Sequence, residues 1–158
     1  MPLPGFFHVG NPHHYRHALE GESQEQFADR LAAELEAMIL REGAETVAAF
    51  YAEPLMGAGG VIVPPRTYWE KIQAVCRKYD VLIVADEVIC GFGRTGKMFG
   101  SETFGIKPDV MVLSKQLSSS YQPISPILIN HGLYHSIADH SHSLGTLGHV
   151  FTASGHPL

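Results

Sequence analysis

The chain has 158 residues, 45% of them apolar and 17% charged, which suits one globular domain with a buried core and excludes an intrinsically disordered segment. Its 16 acidic against 11 basic side chains give a formal charge of −5, which argues against a nucleic-acid surface. Cys76 and Cys90 are too few for a disulfide framework, so a reduced, cytoplasmic setting is expected. No apolar run nears the roughly 20 residues of a membrane span, and the opening MPLPGFFHVGNPHHYR lacks the regions of a signal peptide.

Residues 1–22, rich in Pro, Gly and His, read as irregular. Ser23 and Gln26 have capping-box spacing, and Phe27, Leu31, Leu35, Met38 and Ile39 follow at helical intervals until Gly43. Thr46 to Ala52 is almost continuously apolar, as a strand covered on both faces would be, and Glu53-Pro54 ends it. The GAGG stretch at 57–60 makes a flexible loop. Thr67 and Glu70 after Pro64-Pro65 predict a second capping box, opening a helix to Tyr79. Val81 to Ala85 reads as a strand ending in Asp86-Glu87, followed by a glycine-rich turn at 91–100. Asp109 to Leu113 is another strand with Ser114-Lys115 at its end, and 125–130 a further one. Strand, helix and strand in this rhythm predict an α/β fold with a mainly parallel sheet and flanking helices.

Ligands of open α/β sheets bind beyond the carboxyl ends of the strands, and Glu53, Asp86 and Lys115 occupy such ends. Alone, the Asp could be a helix cap and the Lys a residue leaving the core for solvent. Together on neighbouring strands they match what pyridoxal phosphate needs: a carboxylate to keep the pyridine nitrogen protonated, and an amine to bind the aldehyde and shuttle a proton. The competing motifs are weaker. VLIVADE resembles a Walker B strand, but the chain has no GxxxxGK[ST] loop. Gly91 to Gly96 matches GxGxxG, yet Gly100 and Gly105 forbid the long helix that this motif opens. Among the ten histidines, His131 and His135 stand four apart as zinc ligands could, without a second coherent ligand spacing. Solvated surface histidines are the better reading.

AEPLMGAGGVIVPP (52–65), DEVICGFGRTGKMFG (86–100), IKPDVMVLSKQL (106–117) and HVFTASGHP (149–157) resemble successive motifs of the class III (omega-amino acid:pyruvate type) pyridoxal-phosphate-dependent aminotransferases. PGFFHVGNPHHYR (4–16) is similar to the family segment at that point, so the resemblance covers essentially the whole chain. It implies a fold-type I enzyme, homodimeric, that moves an amino group from an amine donor to a keto-acid acceptor such as pyruvate. By position, Lys115 becomes the Schiff-base lysine and Asp86 the partner of the pyridine nitrogen. Val88 packs on the cofactor ring, Thr152 donates to the cofactor phosphate of the neighbouring subunit, and Glu53 sits by the substrate region. Arg94 fixes the turn after the strand.

Gln116 stands where members often carry Gly, and the usual HGFT has become His149-Val150-Phe151-Thr152. If the family glycine has a positive φ, Val150 would be strained there. The resemblance also implies that residues 1–158 are part of the cofactor-binding large domain, without the segment carrying the phosphate loop and without the C-terminal small domain. Two alternatives accompany this reading: a truncated, catalytically inactive fragment, or a racemase or aminomutase of the same fold.

Overall fold

The computed structural model describes residues 3–146. In chain order these form α1 (His14–His17), α2 (Gln24–Glu42), β1 (Ala49–Ala52), α3 (Tyr68–Lys78) and β2 (Leu82–Asp86). Then come α4 (Gly100–Phe104), β3 (Val110–Val112), β4 (Ile127–Ile129) and α5 (His131–Leu144). The strands make one sheet in the order β1-β2-β3-β4, with β1, β2 and β3 parallel and β4 antiparallel to β3. The expected α/β architecture with a mainly parallel sheet is therefore present.

The helix α2 starts where the sequence says it should. Ser23 Oγ accepts from Gln26 N (3.2 Å) and Gln26 Oε1 accepts from Ser23 N (2.8 Å), which satisfies two of the donors that every helix start leaves open. Gly43 ends it at φ 93°, a conformation that side-chain-bearing residues avoid. Phe27, Leu31, Leu35 and Ile39 recur on one face, all buried, and pack on the buried Tyr68, Trp69, Ile72 and Cys76 of α3. Ile83 of β2 closes this core from the sheet side.

Two local expectations change. The Thr67–Glu70 capping box does not form: Thr67 lies at φ 63° after the Pro64-Pro65 bend, and its hydroxyl donates back to Arg66 O (2.6 Å). In that left-handed conformation no Thr67 side-chain cap reaches α3. The strand expected from Thr46 also starts later. Residues 44–46 form a 3₁₀ turn, and Thr46 Oγ1 donates to the carbonyls of Glu42 and Gly43, both at 2.9 Å.

The sheet is dressed on one side. Along β2 burial alternates, with Ile83 and Ala85 buried against the helices and Leu82, Val84 and Asp86 half-buried on the other face. Register partners share a face, so Tyr51, Val84, Val110 and Ile129 form a row across the sheet, with Val112 and Ile127 beside it. Ile127 is 61% exposed and Tyr51 57%. The reading of β1 as covered on both faces is thus corrected: its Ala49 and Tyr51 are exposed among the described residues.

One ion pair near α2 makes a pH prediction. Arg30 Nε and Nη2 donate to Glu22 Oε1 and Oε2, each at 2.8 Å, and Leu19 N donates to Oε2 as well. Chiefly through the Arg30 hydrogen bonds, the Glu22 carboxyl is held at about 2, below the ordinary 4.5. A depressed folded value contributes stability above the ordinary value that is lost as pH falls towards 2. Glu22→Gln is expected to flatten the acid limb of urea-midpoint against pH in that window. An unaltered limb would show that the pair contributes nothing.

Candidate functional site

Because β1, β2 and β3 run parallel, their carboxyl ends share one edge of the sheet. Asp86 is the last residue of β2 and pairs in register with Val112 of β3. Lys115 follows Val112 by three residues, so no more than about 11 Å of backbone separates that register position from the lysine. Asp86 and Lys115 thus stand at the ends of adjacent strands. Lys115 is exposed and opens a 3₁₀ turn (Lys115–Leu117) at φ 35°, a backbone conformation costly for a residue with a side chain. Gln116 lies inside that same turn.

The carboxylate of Asp86 is held at both oxygens. Tyr51 Oη donates to Oδ2 (2.6 Å) from the adjacent strand, and Val88 N donates to Oδ1 (3.0 Å) across a local turn. Desolvation of the hydroxyl, and then the bond to Asp86 and its charge, push the Tyr51 phenol up to about 12, so it remains a protonated donor throughout the neutral range. Val88 itself is half-buried just beyond the strand end. A groove of about 800 Å³ runs from the N-terminal segment past β1 and includes Phe6, Phe7, Tyr51, Glu53, Val84 and Asp86 in its lining.

Glu53 has a structural partner as well as its strand-end position: its Oε2 accepts from Gly57 N at 2.8 Å. That bond fixes the approach to the GAGG turn, which Gly60 N and Val61 N close by donating to Gly57 O inside a short antiparallel bridge between Met56 and Ile62. Gly57 packs so close to Ile89 that an added Cβ would lie 2.7 Å from it. Thr152 and Val150 lie outside the described residues.

Sequence reasoning missed two residues here. Tyr51 was only one apolar residue of a strand, and its role depends on the pairing of β1 with β2. Glu87 was named merely as a strand end, although period-two alternation with Ile83 and Ala85 already aimed it inward. It is fully buried, and its carboxylate accepts from Gly100 N (2.8 Å), Ser101 N (2.6 Å) and Ser101 Oγ (2.6 Å). Glu87 thereby ties the start of α4 under the strand end. Gly100 is needed for that approach, since a Cβ there would meet Cys90 at 2.8 Å and Pro54 at 2.9 Å. The glycine-rich segment is a chain of tight turns, with Gly93 and Gly96 at φ 94° and 90°, and the helix that follows it has five residues.

His131 and His135 do stack on one face of α5, with ring centroids 6.4 Å apart, and both are exposed. Among the described residues no group of three His, Cys, Asp or Glu side chains could hold a metal ion. No helix among them is long and apolar enough to cross a membrane. Cys76 and Cys90 are both free and buried.

Known proteins resemble this chain in sequence and in fold. The chain is 57% identical over 158 residues to a probable gamma-aminobutyrate transaminase 4 of Oryza sativa subsp. japonica, covering 99% of this chain and 33% of that protein. It is 54% identical to the mitochondrial gamma aminobutyrate transaminase 1 of Solanum lycopersicum, covering 100% and 31%. Among solved structures, an omega transaminase from Pseudomonas jessenii in complex with PMP superposes with a TM-score of 0.96 at 76% identity, covering 99% of this chain and 35% of that one. The chain therefore spans about a third of the length of the relatives it matches. The family model of aminotransferase class-III matches residues 3–158, and the chain belongs to that family.

Proposed function

We propose that these residues carry part of the cofactor site of a pyridoxal-phosphate-dependent transaminase, which moves an amino group from an amine or omega-amino acid to a keto acid such as pyruvate. The observation that carries this reading is the placing of Asp86 and Lys115 at the ends of adjacent parallel strands. The donor set fits the cofactor. Asp86 offers a carboxylate whose two oxygens each have one donor and keep further lone pairs for a ring N–H. Lys115 offers a primary amine in the solvent-facing turn beside it.

When bound, pyridoxal phosphate supplies an electron sink for the carbon from which the proton leaves. Asp86 holds a proton at the ring nitrogen by placing negative charge beside it. Lys115 Nζ would be the amine that holds the cofactor and the base that carries the proton from the substrate carbon. Val88 would border the ring, Glu53 would bound the substrate side, and Thr152 would donate to the cofactor phosphate of the neighbouring subunit in a homodimer. In this reading residues 1–158 are a portion of the large domain, and the phosphate loop and small domain come from other parts of the protein. The two free thiols support a reducing compartment, which the cytoplasm offers. Some relatives carry mitochondrial or chloroplastic names, so cell fractionation is the check on location.

Borohydride reduction of the full-length protein with pyridoxal phosphate is expected to fix the cofactor covalently at Lys115, read by peptide mass. Stable label at another lysine, or none, would overturn the assignment. An amine assay with pyruvate separates transamination from racemase or aminomutase chemistry, since only the first makes alanine. The open sheet face supports a second reading for the 158 residues alone, as an inactive fragment. Label and turnover in the isolated chain would refute that reading.

A further inference from the structure

We infer that Tyr51 is a positioning residue for the cofactor: its hydroxyl fixes the Asp86 carboxylate in the orientation that meets the ring nitrogen. The inference rests on the proposed role of Asp86. Its basis is a geometry that packing alone does not require. Tyr51 and Asp86 lie on the same open face of the sheet, because Tyr51 pairs in register with Val84, two residues before Asp86. Tyr51 is 57% exposed, so burial in the core is not what sets the direction of its side chain. Its hydroxyl nevertheless ends 2.6 Å from Oδ2.

A carboxylate on a strand end can turn about its last side-chain bond, and each orientation presents different lone pairs. Val88 N engages Oδ1 and Tyr51 Oη engages Oδ2, so each oxygen is held by its own donor. The remaining lone pairs then point in fixed directions before the cofactor binds, which lowers the ordering cost of binding. The donor stays available because Tyr51 keeps its proton far above neutral pH.

The test uses full-length holoenzyme with Tyr51→Phe, Tyr51→Leu and Asp86→Asn, read by pyridoxal phosphate affinity and by the absorption band of the bound cofactor. Tyr51→Phe keeps the ring, and is expected to weaken affinity about tenfold, the loss of one hydrogen bond to a charged group. The band should also shift, because the carboxylate no longer meets the ring nitrogen from a fixed direction. Tyr51→Leu should match the Phe variant, since the hydroxyl is the group that matters. In an Asp86→Asn background Tyr51→Phe should cost little more.

Tyr51→Phe with parental affinity and absorption band, while Asp86→Asn is impaired, would overturn this inference and leave the reading of Asp86 intact. A loss seen only with Leu would assign Tyr51 to packing and likewise overturn it. If Asp86→Asn itself changes neither readout, the role of Asp86 falls and the inference falls with it.

Discussion

Lys115→Arg in the full-length protein is expected to lower kcat for transamination by at least about 10⁴-fold, because on the proposed assignment one substitution removes both the attaching amine and the proton carrier. The guanidinium keeps the positive charge and most of the length, but it does not deprotonate in proteins and so can neither bond to the aldehyde carbon nor accept a proton. Charge at the strand end is thus conserved while the chemistry is removed. Single-turnover mixing with amine donor should show no conversion of the cofactor, and dialysis should release it unreacted. Residual turnover within tenfold of the parent would mean that another residue performs both tasks. Far-ultraviolet circular dichroism should stay unchanged, since Lys115 is exposed in the turn after β3 rather than filling a core.

Glu87→Ala is expected to cost about 3 kcal/mol or more of stability, the largest structural effect near the site. Three donors converge on this fully buried carboxylate: Gly100 N, Ser101 N and Ser101 Oγ. Removing the acceptor leaves them in a place that water does not reach, and the penalty for unpaired buried donors exceeds the modest net value of the bonds themselves. Glu87→Gln should recover part of the loss, because its amide oxygen can accept while its NH₂ meets a second donor. Urea denaturation of the full-length protein measures both, and equal midpoints for Ala and parent would show that this buried hub contributes nothing. The cofactor band should weaken in parallel only as far as the turn between Val88 and Gly100 loosens.

Local chemistry was readable from the sequence wherever a structure is decided by neighbours in the chain. The Ser23–Gln26 box, the stripe from Phe27 to Ile39 and the stop at Gly43 need only a helix-length window. The hydrophobic run before Asp86 was equally plain, and with it the strand end that matters most. Reading failed where a distant or competing geometry decides. Thr67 has the spacing of a cap, but the prolines before it impose another backbone. β1 has the composition of a strand covered on both faces, whereas the helices among the described residues pack on one face of the sheet and leave the other open.

The site divides in the same way. Asp86 and Lys115 were legible as candidates because each follows its own apolar run, and the resemblance to the family supplied the roles proposed for them. Tyr51 could not be found that way. Its contact with Asp86 needs the register that sets Tyr51 opposite Val84, and a shift of one residue would turn the hydroxyl to the helix side. Glu87 was available in principle, since an acid in phase with Ile83 and Ala85 must either find donors or stay unburied. The donors it finds come from a glycine-rich turn whose path no periodicity describes.

The crossovers through α3 and α4 have a kinetic consequence. Register partners in the parallel part of the sheet lie about thirty residues apart along the chain, and pairing across such crossovers is slow beside the formation of local helical turns. β1 and β2 therefore pair after α2 and α3 have begun to form. Once they do, Tyr51 and Asp86 face each other with no further rearrangement. The Asp86 carboxylate is then aimed by the closing of the sheet itself, before any ligand arrives to meet it.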